Sequence, residues 1–222
     1  LRDTWAGLSL DGGTSFTNGV NIDQQGWMIN GCPSTGPDGV IIDDTLYGVF
    51  MSAATGSGRI YVGKADLTSL TFNSVQDLSS GGPNGNENFP RIDQFEGKSA
   101  LVYQRNQNGS VSLVSRYGNS MAECIGEISN EQVLATDNVS HPDVCVGANV
   151  VFVFWQNNSS GALMYRKSQT GSLGILKLND NSKKQLIGIY DLLGRPTKME
   201  RNVPLIYFYS DGSREKKVII EN

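Results

Sequence analysis

At 222 residues, the chain can bury a sizeable core in one domain, or in one domain plus a small module. A formal net charge of −4 argues against nucleic acid as a partner, because phosphate binding needs clustered Lys and Arg. No apolar run approaches the ~20 residues that span a bilayer, and 26 glycines with only 18 % charged residues suit a turn-rich all-β protein.

The chain starts at Leu1, inside what reads as a strand, and is expected to be the C-terminal fragment of a longer protein. Its first distinctive stretch is Ser9 to Phe16, S-L-D-G-G-T-S-F. Asp11 can accept N–H bonds within its own turn, Gly12 and Gly13 supply positive φ, and Ser9 can bond across the turn. Phe16 starts the next apolar segment. Ser9, Asp11, Gly13 and Phe16 together resemble the Asp box, or BNR repeat, of sialidase-like β-propellers. In that family the box is a structural hairpin turn on the face opposite the active site, so these four residues are expected to be structural.

The middle of the chain repeats. Pro37, Pro90 and Pro142 stand 53 and 52 residues apart. Each is followed by a short apolar strand and then a strongly apolar one: Leu46–Ser52, Ser99–Gln104 and Val150–Gln156. A Gly-, Asn- and Ser-rich loop comes next, then a third strand at Arg59–Gly63, Ser110–Arg116 and Ala162–Lys167. Turns are expected at Asp66–Ser69, Tyr117–Ser120 and Ser168–Gly171. A period near 50 with four short strands per unit predicts propeller blades. The prolines are expected to mark entry into each innermost strand. The fold expectation is therefore all-β: half a blade and about three whole blades over residues 1–178, the C-terminal part of a propeller. The sialidase-like family usually has six blades.

Composition shifts at residues 179–184, a polar linker, and a compact unit fills 185–222. Its expected strands are Gln185–Tyr190, Pro204–Tyr209 and Lys216–Ile220, with Asp211-Gly212 as a tight hairpin turn. Asp191, Gly194 and Arg195 in Y-D-L-L-G-R, then Pro204 and Tyr207, Asp211 and Gly212, and Lys217 near the end are similar to the short C-terminal sorting domain of the type IX secretion system. That resemblance implies recognition by the outer-membrane translocon and a secreted or cell-surface location in a Gram-negative bacterium.

On the loop face of such a propeller, Asn, Gln, Gly and Ser are abundant, which suits a glycan or cell-surface polysaccharide. A sialidase-type site implies arginines that clamp a carboxylate, with a tyrosine nucleophile activated by a glutamate. The candidates are Glu87, Arg91 and Arg105, with Glu87 and Arg91 read either as a site pair or as an exposed ion pair of little consequence. Arg116 is expected to be an exposed bystander. Tyr47, Tyr61, Tyr103 and Tyr165 fall within strands and read as core or wall. The lone His141 reads as a turn residue, and Trp27 as core or as a sugar-stacking ring. A non-catalytic adhesion or structural propeller is the alternative to an exo-glycosidase. No cofactor is expected. Cys32, Cys124 and Cys145 contain no C-x-x-C pair, which argues against zinc. They read as small buried residues, or with Cys124 and Cys145 joined in an oxidising compartment.

Overall fold

The computed structural model describes residues 3–79, 82–126, 131–169, 186–209 and 214–219. It divides into two compact units, Leu1–Lys177 and Leu178–Asn222. The first unit is built from antiparallel meanders in chain order. A short pair, β1 (Trp5–Ala6) and β2 (Val20–Asn21), precedes a four-stranded sheet of β3 (Asp38–Ile42), β4 (Thr45–Ser52), β5 (Arg59–Asp66) and β6 (Phe72–Asp77). A second four-stranded sheet follows: β7 (Gly85–Phe95), β8 (Lys98–Gln107), β9 (Ser110–Gly118) and β10 (Glu131–Thr136). A third sheet, three-stranded among the described residues, holds β11 (Val139–Val146), β12 (Val150–Asn157) and β13 (Leu163–Gln169).

The sheets stack in sequence, as propeller blades do. Strand β7 packs on β3, β4 and β5, and β11 packs on β7, β8 and β9. Strands buried on both faces read as continuous apolar runs. Val49, Ile60 and Val62 of the first four-stranded sheet meet Ile92, Leu101 and Val114 of the second in one buried cluster. Each such side chain contributes roughly 1.5–3 kcal/mol by leaving water. Trp27 joins this cluster and is a core residue.

The innermost strands are tied together by side-chain staples as well as by apolar packing. Ile92 N donates to Asp38 Oδ2 at 3.0 Å, and Val146 N to Asp93 Oδ2 at 2.7 Å. Gly58 N donates to Asn86 Oδ1 at 2.9 Å, and Glu87 N to Gly58 O at 2.8 Å. Only glycine fits at position 58: a Cβ there would stand 2.4 Å from Asn86 Oδ1 and 2.5 Å from Glu87 O.

Three expectations need correction. Pro37 does precede β3, but Pro90 and Pro142 lie inside β7 and β11. Each sits at a break in register, between Asn88 and Arg91 and between Ser140 and Asp143. Proline has no N–H for the ladder, so a bulge takes it up and the strand continues. The expected turn at Tyr117–Ser120 is instead the end of β9 followed by a short helix, α1 (Met121–Cys124). Ser120 caps it, its Oγ accepting from Glu123 N at 3.1 Å. Finally, all three cysteines are free, and only Cys124 is buried, its thiol pushed up to about 12 by burial.

The second unit is a three-stranded antiparallel meander: β14 (Leu186–Tyr190), β15 (Pro204–Tyr209) and β16 (Arg214–Val218). Pro204 opens the middle strand, where its missing N–H costs least. Leu205 and Tyr207 form the buried centre. The third strand starts two residues earlier than Lys216–Ile220. Residues 179–184, Asp211 and Gly212 lie outside the described residues.

Candidate functional site

Alternation of the meanders brings the starts of β3, β7 and β11 to the same end as the β4–β5, β8–β9 and β12–β13 loops. At this loop end the two bulges present equivalent residues from neighbouring sheets: Phe89-Pro90-Arg91 and His141-Pro142-Asp143. Phe89 has φ +53° and His141 φ +48°. Each precedes a proline, which disfavours helical backbone, and neither is glycine. Backbone strain of this kind costs on the order of 1–3 kcal/mol and persists only where surrounding structure enforces it. Here it turns two rings towards one another, with centroids 5.1 Å apart at 43°. Phe89 is half-buried and His141 exposed.

Arg91 follows the first bulge. Its Nη1 donates to Pro90 O at 2.8 Å and Gly36 O at 3.4 Å, which fixes the guanidinium plane. Asp143 follows the second, and its Oδ1 accepts from Val144 N at 3.0 Å. Exposed Asn106, Asn108, Asn138, Gln156 and Asn158 surround the loops. Ser140 Oγ donates to Asn158 Oδ1 at 2.6 Å. The ensemble offers an aromatic face, a held guanidinium, a carboxylate and neutral amides.

Glu87 does not pair with Arg91. It lies directly opposite Arg105 across β7 and β8, and Arg105 Nε donates to Glu87 Oε1 at 2.8 Å. Arg105 Nη1 reaches Glu131 Oε1 at 2.7 Å. Tyr103 Oη donates to Glu131 Oε2 and accepts from Arg105 Nη2 at 3.1 Å. Arg116, expected to be exposed, is 1 % exposed and stands 4.0 Å from Glu131. Two carboxylates and two guanidiniums thus balance inside the second sheet's packed face. Burial works against the Arg105 charge, but Glu131 and Glu87 overcome it and raise its pKa. Burial first, then the Glu87 and Glu131 charges, push the Tyr103 hydroxyl far up, so it stays protonated. Tyr103 is also fully buried, so its hydroxyl is out of a substrate's reach in this structure. Glu131, Arg116 and Tyr103 were not legible as partners, because the ladder that joins them spans residues 87 to 131.

The Ser9–Phe16 turn is fully built from local bonds. Asp11 Oδ1 accepts from Ser9 Oγ at 2.8 Å and Ser15 N at 2.9 Å, and Asp11 Oδ2 from Ser15 Oγ at 2.6 Å. Ser9 Oγ accepts from Gly13 N at 2.8 Å. Gly12 and Gly13 have φ +70° and +89°. Chiefly the Ser15 hydroxyl, then the Ser15 N–H and Ser9, lower the Asp11 pKa to about 2. Phe16 is 66 % exposed and anchors no core. The turn at Asp66 is similar, its carboxylate accepting from Thr68 N, Ser69 N and Thr68 Oγ1. In the second unit, Asp191 Oδ1 accepts from Leu193 N and Arg195 N, both at 2.9 Å. Arg195 Nε bonds Asp191 Oδ2 at 2.7 Å, and Gly194 has φ +80°. Lys217 Nζ donates to Tyr209 Oη at 2.9 Å and lies over the Tyr207 ring.

No family model and no curated protein matches the chain. Among solved structures it is similar to a family 43 endo-arabinanase from Bacillus licheniformis, at 14 % identity over 73 % of this chain and 56 % of that one, with a TM-score of 0.38. It is also similar to a family 117 glycoside hydrolase from Zobellia galactanivorans, at 10 % identity over 83 % and 69 % and a TM-score of 0.40. A third is the β-propeller domain of the Trilobed protease from Pyrococcus furiosus, at 10 % over 84 % and 57 %, TM-score 0.32. The chain spans little more than half the length of the arabinanase. Likenesses at this level leave activity to be argued from the residues.

Proposed function

We propose that the first unit is part of a glycan-binding β-propeller whose ligand meets the loop end at Phe89, Arg91, His141 and Asp143. The strained, ring-bearing bulges carry this reading. Two neighbouring sheets spend backbone strain at the same place to present aromatic faces, and such faces suit the C–H side of a sugar ring. The amides and hydroxyls around them suit its oxygens.

The burial of Glu87, Arg105 and Tyr103 supports binding over hydrolysis by these residues. Each is already engaged with protein partners, so a sialidase-type exo-glycosidase would have to draw its acid and nucleophile from elsewhere. For the second unit we propose a sorting role: export through the type IX secretion system to the surface or medium of a Gram-negative bacterium. The Asp191–Arg195 turn and the three-stranded meander support this reading.

The test is a glycan array followed by titration calorimetry of the best ligand. Phe89→Ala is expected to weaken binding at least tenfold, while Arg105→Met acts on stability alone. Release of dye from a fluorogenic sialoside would instead favour the enzyme. A protein lacking residues 185–222 should fold but stay in the periplasm; continued export would remove the sorting role.

A further inference from the structure

Away from the bulges, the segment before β3 lies against the first four-stranded sheet. Ile22 packs with Phe50, Tyr61 and Phe72, and Ile22 N donates to Thr4 O at 2.9 Å. Within this contact, three side-chain oxygens are buried with no hydrogen-bond partner among the described residues: Asp3 Oδ1, Asp23 Oδ2 and Ser52 Oγ. Asp23 and Ser52 are both at 0 % exposure.

The other oxygens of these carboxylates are accounted for. Asn21 Nδ2 donates to Asp3 Oδ2 at 2.7 Å, and Gln25 N to Asp23 Oδ1 at 3.1 Å. Each carboxylate is therefore held through one oxygen and left with the other. Ser52 lies beside the Asp23 carboxylate without completing a good hydrogen bond to it, and Asp3 adds a second negative charge nearby. Among the described residues, no Lys or Arg forms an ion pair with Asp3 or Asp23. A buried carboxylate without a counter-charge is strongly unfavourable, and two together more so.

We infer that Asp3, Asp23 and Ser52 form a binding site for a hard, oxygen-preferring cation of the Ca2+ type. The donors are all oxygen, which excludes the thiolate- and imidazole-seeking metals. They come from an irregular segment and a strand end, and Ca2+ tolerates such geometry where Mg2+ demands a near-ideal octahedron. Two acids and a hydroxyl make a sparser set than a three-acid cluster, and none of those occurs among the described residues. Affinity is accordingly expected in the range of extracellular Ca2+ modules, roughly 10⁻⁴–10⁻³ M. The ion would fasten the 3–27 segment to the first four-stranded sheet.

The experiment uses the 222-residue chain stripped with EDTA. Melting is followed without metal, with roughly 5 mM CaCl2, and with the same MgCl2; calorimetry with Ca2+ runs alongside. Ca2+ is expected to raise the melting temperature by several degrees with one site per chain, and Mg2+ to do less. Asp3→Asn should weaken binding at least tenfold, and Asp23→Asn should abolish it. Should Asp23→Asn fail to fold, Asp3→Asn and Ser52→Ala still carry the test. An unchanged melt and a flat titration overturn the site. So does an equal Ca2+ response in wild type and Asp3→Asn, which would put the ion elsewhere. An Asp23→Asn protein that melts higher than wild type in EDTA and ignores Ca2+ would mean water or a shared proton meets these oxygens.

Discussion

Asp11 and Glu87 are both hydrogen-bonded carboxylates, yet their partners come from opposite ends of the sequence scale. Every group that meets the Asp11 carboxylate lies within four residues of it, in an exposed turn. Glu87 meets a guanidinium 18 residues away, and that guanidinium continues to Glu131 on the outer strand of the same sheet. The turn's bonds call on no other part of the fold. The buried cluster exists only once β7 to β10 are in register. Local bonding therefore fixes a shape, whereas the non-local cluster fixes the register of strands within one sheet.

That contrast predicts unequal effects. Arg105→Ala should be the most damaging single change in the first unit. It would strand Glu87 and Glu131 in a buried setting, at a cost of about 3–5 kcal/mol. Urea denaturation should show the midpoint falling with an unchanged slope. Arg105→Met with Glu87→Gln and Glu131→Gln should recover much of the loss, since a neutral set leaves no unpaired charge. A triple variant as weak as Arg105→Ala would mean that packing around the guanidinium, not its charge, is what matters.

Between these extremes stand the two bulges, which are local in cause but non-local in consequence. His141→Gly removes the Cβ that opposes φ +48°. It should leave the fold intact and raise stability by about 1 kcal/mol, the strain relieved exceeding the entropy glycine adds to the unfolded chain. It also removes the ring, so ligand binding should fall. A stability loss here would show that the ring contact with Phe89 outweighs the strain.

The same division explains what the sequence disclosed. Strand cores at 46–52, 99–104 and 150–156 were legible because buried strands read as unbroken apolar runs, and each lies within β4, β8 or β12. The Ser9–Phe16 turn was legible because its chemistry is contained in eight residues. The Glu87–Arg105 pair was not. Arg91 is nearer in sequence to Glu87, and only the register across the bulge puts Arg105 opposite it. Arg116 was expected to be exposed, but it is buried opposite Glu131 of β10, with its Nη1 donating to Gly126 O. The prolines were seen as a repeat but misread as strand entries, because a bulge leaves a strand's apolar pattern almost unchanged while shifting its register.

The smallest expected effect belongs to the exposed turn, and it has a defined pH dependence. In the folded chain the Asp11 pKa is lowered to about 2, first by the Ser15 hydroxyl and then by the Ser15 N–H and Ser9. Unfolded, it returns to the ordinary carboxylate value near 3.9. A folded pKa below the unfolded one means that the ionised form favours folding. The contribution is complete above about pH 5 and fades as pH falls from about 4 through about 2. Solvent screening keeps it small, because the carboxylate is fully exposed. Melting curves of wild type and Asp11→Ala at several pH values should therefore differ by a constant amount near neutrality and approach one another in acid. Asp66 and Asp191, whose pKa values are also lowered, titrate alike in both proteins and cancel in the difference. A gap that stays constant down to pH 2 would mean that the turn depends on the shape of the Asp11 side chain rather than on its charge.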